Sequence, residues 1–201
     1  DRERNLKESM TGRPKRWITR NKSERSPTHA VGLLCSCPQK RKENTMDEIS
    51  LCPMTRELCY AFFQGFENDP ALFADPSQCT PYEYSEEGAD RYFEKQQRPD
   101  RLNLAVMRKG EPIGEVKLKA IDHEKRECEM GICLKNDSVK GKGYGCRAEE
   151  LAVSYALHVL GMTAVNADTL IGNRRSQHVL EKLGFRFVRE EGDFRYYRYE
   201  P

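Results

Sequence analysis

The sequence predicts an α/β domain in which seven strands and four helices follow the order β-α-α-β-β-β-α-β-α-β-β. Two observations carry this prediction. Short runs with apolar residues at every second position alternate with longer stretches whose apolar residues recur every three to four positions. A glycine-rich loop at residues 140–145 also joins a strand to a helix, close to the middle of the patterned region.

The first third of the patterned region holds one strand and two helices. Residues 49–54 form a short apolar run that predicts a strand. Thr55 is suited to cap a helix over residues 56–66, whose apolar side chains share one side. A loop rich in Pro, Asp and Asn follows, and Ser85 begins a second helix that ends near Gln97.

Three strands come next, at residues 102–108, 113–121 and 128–134. Short charged or glycine-containing turns separate them, which favours an antiparallel meander. In the middle strand, apolar Val116 and Leu118 alternate with Glu115, Lys117 and Lys119. We therefore expect one face of this strand to be exposed to solvent.

The final third alternates helices and strands. The glycine-rich loop leads into a helix that reaches about Leu160, and a strand follows at residues 163–170. Asn173 is suited to cap a last helix, which Gly184 ends. Strands at residues 185–189 and 194–199 finish the chain.

Charge divides the chain into two parts. Residues 1–45 hold 12 Lys and Arg against 5 Asp and Glu, a balance of +7, whereas the remainder holds 22 against 27, a balance of −5. We interpret residues 1–45 as a disordered basic arm or a non-native extension, and we place the start of the domain near Met46, giving a domain over residues 46–201. An acidic domain argues against nucleic acid as its partner, although a salt-sensitive basic arm is the alternative.

Composition also bounds the location and the cofactors. No run approaches the ~18 apolar residues that a membrane span requires, and none near the start is long enough for a signal peptide. The eight cysteines include no CxxC pair and no zinc-like spacing with histidine, so we expect reduced thiols, no metal and a cytoplasmic location.

The glycine-rich loop is a candidate anion site, because a helix N-terminus offers unpaired N–H groups and the positive end of a dipole. A P-loop is excluded, since no Gly-Lys-Ser/Thr follows at the required spacing. The segment Gly143-x-Gly145-x-x-Ala148, with Asp168 further on, matches the pattern of a dinucleotide-binding fold. In that fold the glycines come directly after a strand, which they do not here, and too little chain remains for the other βαβ units. The pattern therefore argues only weakly for a dinucleotide.

Two motifs resemble the GCN5-related N-acetyltransferase (GNAT) superfamily. Lys140, Gly141, Lys142, Gly143, Tyr144 and Gly145 match its pyrophosphate-binding signature, with Lys in place of Gln or Arg. The segment from Asn173 to Phe185 resembles the later helix of the family in its RimJ/RimL-like branch. The resemblance implies a mixed, mostly antiparallel twisted sheet flanked by helices, with acetyl-CoA bound where the strands at 128–134 and 163–170 separate.

The resemblance also implies catalytic residues. Glu129 corresponds to the general base, eleven residues before the loop motif, and Glu127 is the alternative on the same face. Cys133 would polarise the thioester carbonyl through its main-chain N–H, and Leu134 beside it would contact the coenzyme. Leu180 stands where many members carry a Tyr that donates a proton to the leaving thiolate. Ser176 is therefore the candidate proton donor here. Asn173 is expected to contact the pantetheine arm of the coenzyme.

The acceptor is less clearly marked. Tyr82, Glu83 and Tyr84 lie in the segment that lines the acceptor site in the family, although Glu83 and Glu86 also suit a helix start in solvent. We expect acetyl transfer to a protein N-terminus or to a small amino compound or polyamine. The alternative is a non-catalytic acyl-CoA-binding module. The aromatic last strand suggests a homodimer.

Overall fold

The computed structural model describes residues 49–201. The basic segment of residues 1–45 and the expected domain start at Met46 lie outside the described residues. The strands are β1 (Ile49–Pro53), β2 (Leu102–Arg108), β3 (Glu111–Asp122), β4 (Glu127–Leu134), β5 (Ala164–Leu170), β6 (Arg186–Glu191) and β7 (Phe194–Tyr199). The helices are α1 (Arg56–Phe63), α2 (Glu86–Gln96), α3 (Tyr144–His158) and α4 (Arg174–Lys182).

All seven strands form one sheet in the order β1-β2-β3-β4-β5-β7-β6. Every neighbouring pair is antiparallel except β4 and β5, which confirms the mixed, mostly antiparallel sheet. The parallel ladder ends at Met130 opposite Ala167, although β4 continues to Leu134 and β5 to Leu170. The two strands therefore separate beyond Met130, where the family resemblance predicts the coenzyme.

Helices cover both faces of the sheet. On one face, α3 and the end of α4 pack on a core that includes Leu104, Val116, Leu118 and Met130. On the other face, α1 and α2 enclose a second core of Met54, Cys59, Phe62, Phe63, Ala89 and Ala105. The two cores bury apolar area on both sides of β2 and β3, which holds the central strands in place.

The expectation that one face of β3 is exposed is wrong at Glu115, which is 3% exposed. The helices α1 and α2 cover this face, and Tyr92 of α2 donates a hydrogen bond to the carboxylate. The ammonium of Lys117 lies 3.0 Å from Glu115, and the side-chain amide of Asn103 lies 3.4 Å from it. These partners offset the cost of burying the charge.

Local signals fix the helix starts. Thr55, Ser85 and Asn173 each cap a helix by accepting a backbone hydrogen bond with the side chain, as predicted. The first helix ends earlier than expected, at Phe63, but the ring of Phe66 still packs 5.6 Å from that of Phe63. Within residues 49–201, no helix is long and apolar enough to cross a bilayer.

Candidate active site

A cleft of about 290 Å³ opens where β4 and β5 separate. The end of β4, the glycine-rich loop, α3, the end of β5 and the start of α4 all contribute to its walls. Among the predicted site residues, the cleft brings together Cys133, Leu134, Lys140, Gly145, Asn173 and Ser176.

The glycine-rich loop presents an open helix N-terminus at the cleft. Gly141 and Gly143 have φ angles of 71° and 83°, which side chains disfavour, so both positions suit glycine. Gly143 precedes the first residue of α3, Tyr144, and supplies no side-chain cap. A helix N-terminus whose N-cap residue has no side chain is suited to an anion such as a pyrophosphate.

Lys140 is less available to an anion than the sequence suggests. Its ammonium lies 2.6 Å from Asp69 and 2.9 Å from Asp137, and its side chain is largely buried. Burial lowers the pKa of Lys140, but the hydrogen bonds to Asp137 and Asp69 outweigh that effect and leave the pKa raised. Arg175 of α4 lies 3.5 Å from Asp69, so this carboxylate connects the loop to α4 at the rim of the cleft.

The edge of β4 offers main-chain groups to the cleft. Lys135 donates its N–H to the carbonyl of Ile113 at 2.8 Å, which makes this a hydrogen-bonded pair of the β3–β4 register. Because such pairs alternate along an antiparallel ladder, the N–H of Cys133 points to β3, whereas those of Ile132 and Leu134 point toward the gap. The N–H of Cys133 therefore does not face the gap, unlike the expectation, and contact of a main-chain N–H of β4 with the thioester carbonyl stays a prediction.

The start of α4 forms the opposite wall. The side chain of Asn173 accepts the N–H of Ser176 at 3.1 Å, so Asn173 is a helix cap that also lines the cleft. Ser176 is half-buried beside it, and Leu180 follows one turn later as a buried apolar residue. The assigned roles of Asn173 and Ser176 toward a coenzyme remain predictions.

The candidate base lies on the other face of the sheet from α3. The Glu129 carboxylate is 3.1 Å from the ammonium of Lys119, which also lies 3.7 Å from Asp168 of β5. Lys119 and Asp168 line the cleft between β4 and β5, whereas Glu129 lines a second cavity that shares Ala167 and Asp168 with it. Glu129 therefore stands across the gap from the coenzyme side, with Lys119 between the two carboxylates.

The alternative base, Glu127, is occupied by another partner. Arg198 of β7 binds both of its carboxylate oxygens, at 2.7 and 3.0 Å. This hydrogen bonding holds the pKa of Glu127 below its usual value. A carboxylate that is held ionised by an arginine is a weaker proton acceptor, so the geometry favours Glu129.

The predicted acceptor residues lie apart from both cavities. The ring of Tyr82 packs 5.4 Å from Phe63 and 5.1 Å from Phe66, within the core under α1 and α2. Tyr84 packs against the same core, and Glu83 is exposed. The structure does not bring these three residues to the cleft, and their role in acceptor binding remains a prediction.

Sequence reasoning missed several residues of the site, among them Lys119, Asp69 and Glu149. Lys119 and Asp69 are ordinary charged residues in the sequence, and only long-range contacts bring them to the cleft. Glu149 carried a usable signal. It lies four residues after Gly145 and three before Ala152, so the helical period places this charge on the buried face of α3.

Comparison with known proteins identifies the class of the domain. A family model described as "Acetyltransferase (GNAT) domain" matches residues 49–186, and the chain belongs to this family. This is an acetyltransferase domain of the GNAT type. Its features include the glycine-rich loop before α3, the separation of β4 from β5 and the order of the elements.

Particular relatives are polyamine acetyltransferases. The spermidine N(1)-acetyltransferase of Escherichia coli K12 is 31% identical over 105 residues, which is 52% of this chain and 56% of the relative, so the chain spans about half the length of this relative. A Vibrio cholerae spermidine N-acetyltransferase with CoA and spermine has a TM-score of 0.63 at 18% identity, covering 76% of this chain and 95% of that one. A dodecameric structure of that enzyme has a TM-score of 0.58 at 18% identity, covering 76% and 93%.

Proposed function

We propose that this domain transfers the acetyl group of acetyl-CoA to a primary amine of a polyamine, by direct attack in a ternary complex. The observation that carries the proposal is the gap between β4 and β5. It has an uncapped helix N-terminus on the α3 side and the carboxylates of Glu129 and Asp168 on the other side. An acyl thioester and a cationic amine can thus approach each other from opposite faces of the sheet.

The α3 side fits acetyl-CoA. The first-turn N–H groups of α3 would hold the pyrophosphate, and the open main-chain groups of Ile132 and Leu134 would pair with the amides of the arm. The co-substrate supplies the acetyl group as a thioester. Holding both reactants in one gap provides much of the rate acceleration, because it replaces a bimolecular encounter with a positioned one.

On the other side, the amine must lose a proton before it attacks. An alkyl ammonium has a pKa of ~10, so a base is needed near neutral pH. Glu129 takes this proton, directly or through a water molecule. The ammonium of Lys119 lies between Glu129 and Asp168, which is the position that an acceptor ammonium would take, so binding of the amine displaces Lys119.

The leaving thiolate needs little help. A free thiol has a pKa of ~8.5, so its anion is a tolerable leaving group near neutral pH. Ser176 lines the cleft on α4 and is the candidate proton donor in place of the tyrosine that Leu180 replaces.

The polyamine class rests on the relatives and on charge. Three carboxylates, those of Glu127, Glu129 and Asp168, line one face of neighbouring strands. A protein N-terminal amine is the second candidate, because Asn173 and Ser176 of the RimJ/RimL-like motif both line the cleft. A homo-oligomer is part of the proposal, in line with the dodecameric relative.

The experiment measures thiol release from acetyl-CoA with spermidine, spermine, a monoamine and a peptide with a free N-terminus. We expect turnover with the polyamines, and a kcat about 100-fold lower in Glu129→Gln with unchanged CoA affinity. Turnover only with the peptide would select the second candidate. No turnover with any amine, together with tight CoA binding, would select the non-catalytic binding module instead.

A further inference from the structure

Glu149 is a buried acidic residue on the wall of the coenzyme cleft. It lies one helical turn after Gly145, where an added Cβ would stand 3.5 Å from Leu134 Cδ1 and 3.8 Å from Ile132 Cδ1. This face of α3 therefore packs on the end of β4. Because α3 runs back from the loop, Glu149 lies deeper in the cleft, toward the point where β4 and β5 separate.

The carboxyl group of Glu149 is incompletely satisfied. Its side chain is 3% exposed, and Oε2 has no hydrogen-bond partner among the residues that the structure describes. A buried polar atom without a partner is costly, so in a native protein it calls for an explanation. A ligand of the cleft is the explanation that its position favours.

Burial also makes Glu149 a neutral group. It raises the pKa of Glu149 to about 8, so the protonated form predominates at pH 7. The charged side chains that share the cleft from the other elements are Asp69, Lys119, Lys140, Asp168 and Arg175. All five are engaged in ion pairs with one another or with Glu129, and burial is the cause of the raised pKa of Glu149.

A neutral carboxyl group has the chemistry to recognise an amide. It offers one O–H donor and one carbonyl acceptor, which match the carbonyl and N–H of an amide, whereas a carboxylate only accepts. The arm of an acyl-CoA carries two amides between its pyrophosphate and its sulfur. Glu149 lies five residues past the start of α3, or ~7.5 Å along its axis, so it stands beside the arm and not beside the pyrophosphate.

We propose that Glu149, as a neutral carboxyl group, forms a direct hydrogen-bonded contact with an amide of the acyl-CoA arm, so that coenzyme affinity falls as this group ionises. Glu149 is thus a coenzyme-specificity residue of α3, distinct from the glycine-rich loop and from the open edge of β4. The inference concerns the coenzyme and does not depend on which amine is acetylated.

The test measures the Kd of S-ethyl-CoA at pH 7 and pH 9 by calorimetry. This thioether has neither an ionisable thiol nor a hydrolysable thioester. In the unmodified protein we expect the Kd to rise about tenfold between the two pH values, because the carboxyl group must be protonated to bind. In Glu149→Gln, which keeps a donor and an acceptor, the Kd should change less than twofold. In Glu149→Leu it should be about tenfold weaker at pH 7 and insensitive to pH.

A truncated ligand provides the matched control. Adenosine 3′-phosphate 5′-diphosphate lacks the arm, so its Kd should be the same in all three proteins. Equal binding of S-ethyl-CoA by Glu149→Leu and the unmodified protein at pH 7 would overturn the proposal, as would an unchanged pH dependence in Glu149→Gln. Equal weakening of the truncated ligand would also overturn it, since the effect would then not lie in the arm. Failure of polyamine turnover leaves these binding results intact, so the two proposals fail separately.

Discussion

Glu115 and Glu149 are both glutamates with 3% of their surface exposed, yet they lie in different regions with opposite surroundings. Glu115 lies at the centre of β3 under α2, where Tyr92, Lys117 and Asn103 all contact its carboxylate. Glu149 lies on α3 at the coenzyme cleft, and its Oε2 has no partner within the described residues.

The difference shows which buried carboxyl group belongs to a binding site. Burial is costly in both regions, as a charge at Glu115 and as an unpaired polar group at Glu149. Around Glu115 the protein itself offsets that cost with an ammonium and two hydrogen-bond donors. Around Glu149 it leaves the cost in place. A group that stays unsatisfied in the folded protein is available to a ligand, so the missing partner, and not the burial, marks the site.

The pH dependence of stability tests this comparison with the largest expected effect. The folded-state pKa of Glu149 is about 8, above the model-peptide value of 4.5, so folding binds a proton there. Its contribution to stability is present below pH 4.5 and is lost as the pH rises to 8. The expected loss is about 3–5 kcal/mol, and Glu149→Leu should not show it. Urea unfolding of both proteins between pH 5 and 9 measures the difference.

Glu149→Gln is the control for that measurement, since it removes the titration and keeps the shape. Both variants should therefore gain stability over the unmodified protein as the pH increases. A constant difference across this range would mean that Glu149 is already ionised, and the contrast with Glu115 would disappear.

Substitution of Glu115 should lower the stability of the protein, whereas substitution of Glu149 should raise it at high pH. Glu115→Ala leaves the Lys117 ammonium and the Tyr92 hydroxyl without their acceptor, so we expect a loss of about 2–4 kcal/mol at pH 7. Urea unfolding at pH 7 measures the loss. Glu115→Gln keeps one acceptor oxygen for Tyr92 and Lys117 but loses the acceptor for Asn103 and the charge, and should lose about half as much. CoA affinity should be unchanged in both, and a stabilised Glu115→Ala would contradict the distinction between the two glutamates.

Most of the fold could be predicted from the sequence because local patterns determine it. The bounds expected for β2 and β7 are those observed, and Ser85 and Asn173 cap helices through local hydrogen bonds. The environment of Glu115 could not be predicted in the same way. Alternation in β3 separates two faces, but it does not say whether solvent or a helix from a distant part of the chain covers the polar one.

The site shows the same division. The glycine-rich loop and the start of α4 are short motifs, and both line the cleft. The partner of Lys140 was not predictable, since Asp69 lies 71 residues earlier. The outcome at Cys133 depends on the register with β3, because a shift of one residue exchanges which N–H groups face the gap. Sequence spacing alone does not supply that register.

Substitution of Lys119 has the smallest expected effect. It extends the comparison to an ion-pair partner of Glu129 and Asp168 that a cationic ligand can replace. Its ammonium lies 3.1 Å from Glu129 and 3.7 Å from Asp168, and these side chains are partly exposed to solvent, so each interaction is worth only about 0.2–1 kcal/mol. Lys119→Met should therefore lower the KM for spermidine about two- to fivefold, with kcat changed less than twofold. Steady-state kinetics measure both, and Lys125→Met, which breaks an exposed pair with Asp122, is the matched control. A higher KM in Lys119→Met would show that the lysine orients Glu129 for the amine. The carboxylates of this face would then resemble Glu115, which depends on its protein partners, and would not form a binding site for a cationic ligand.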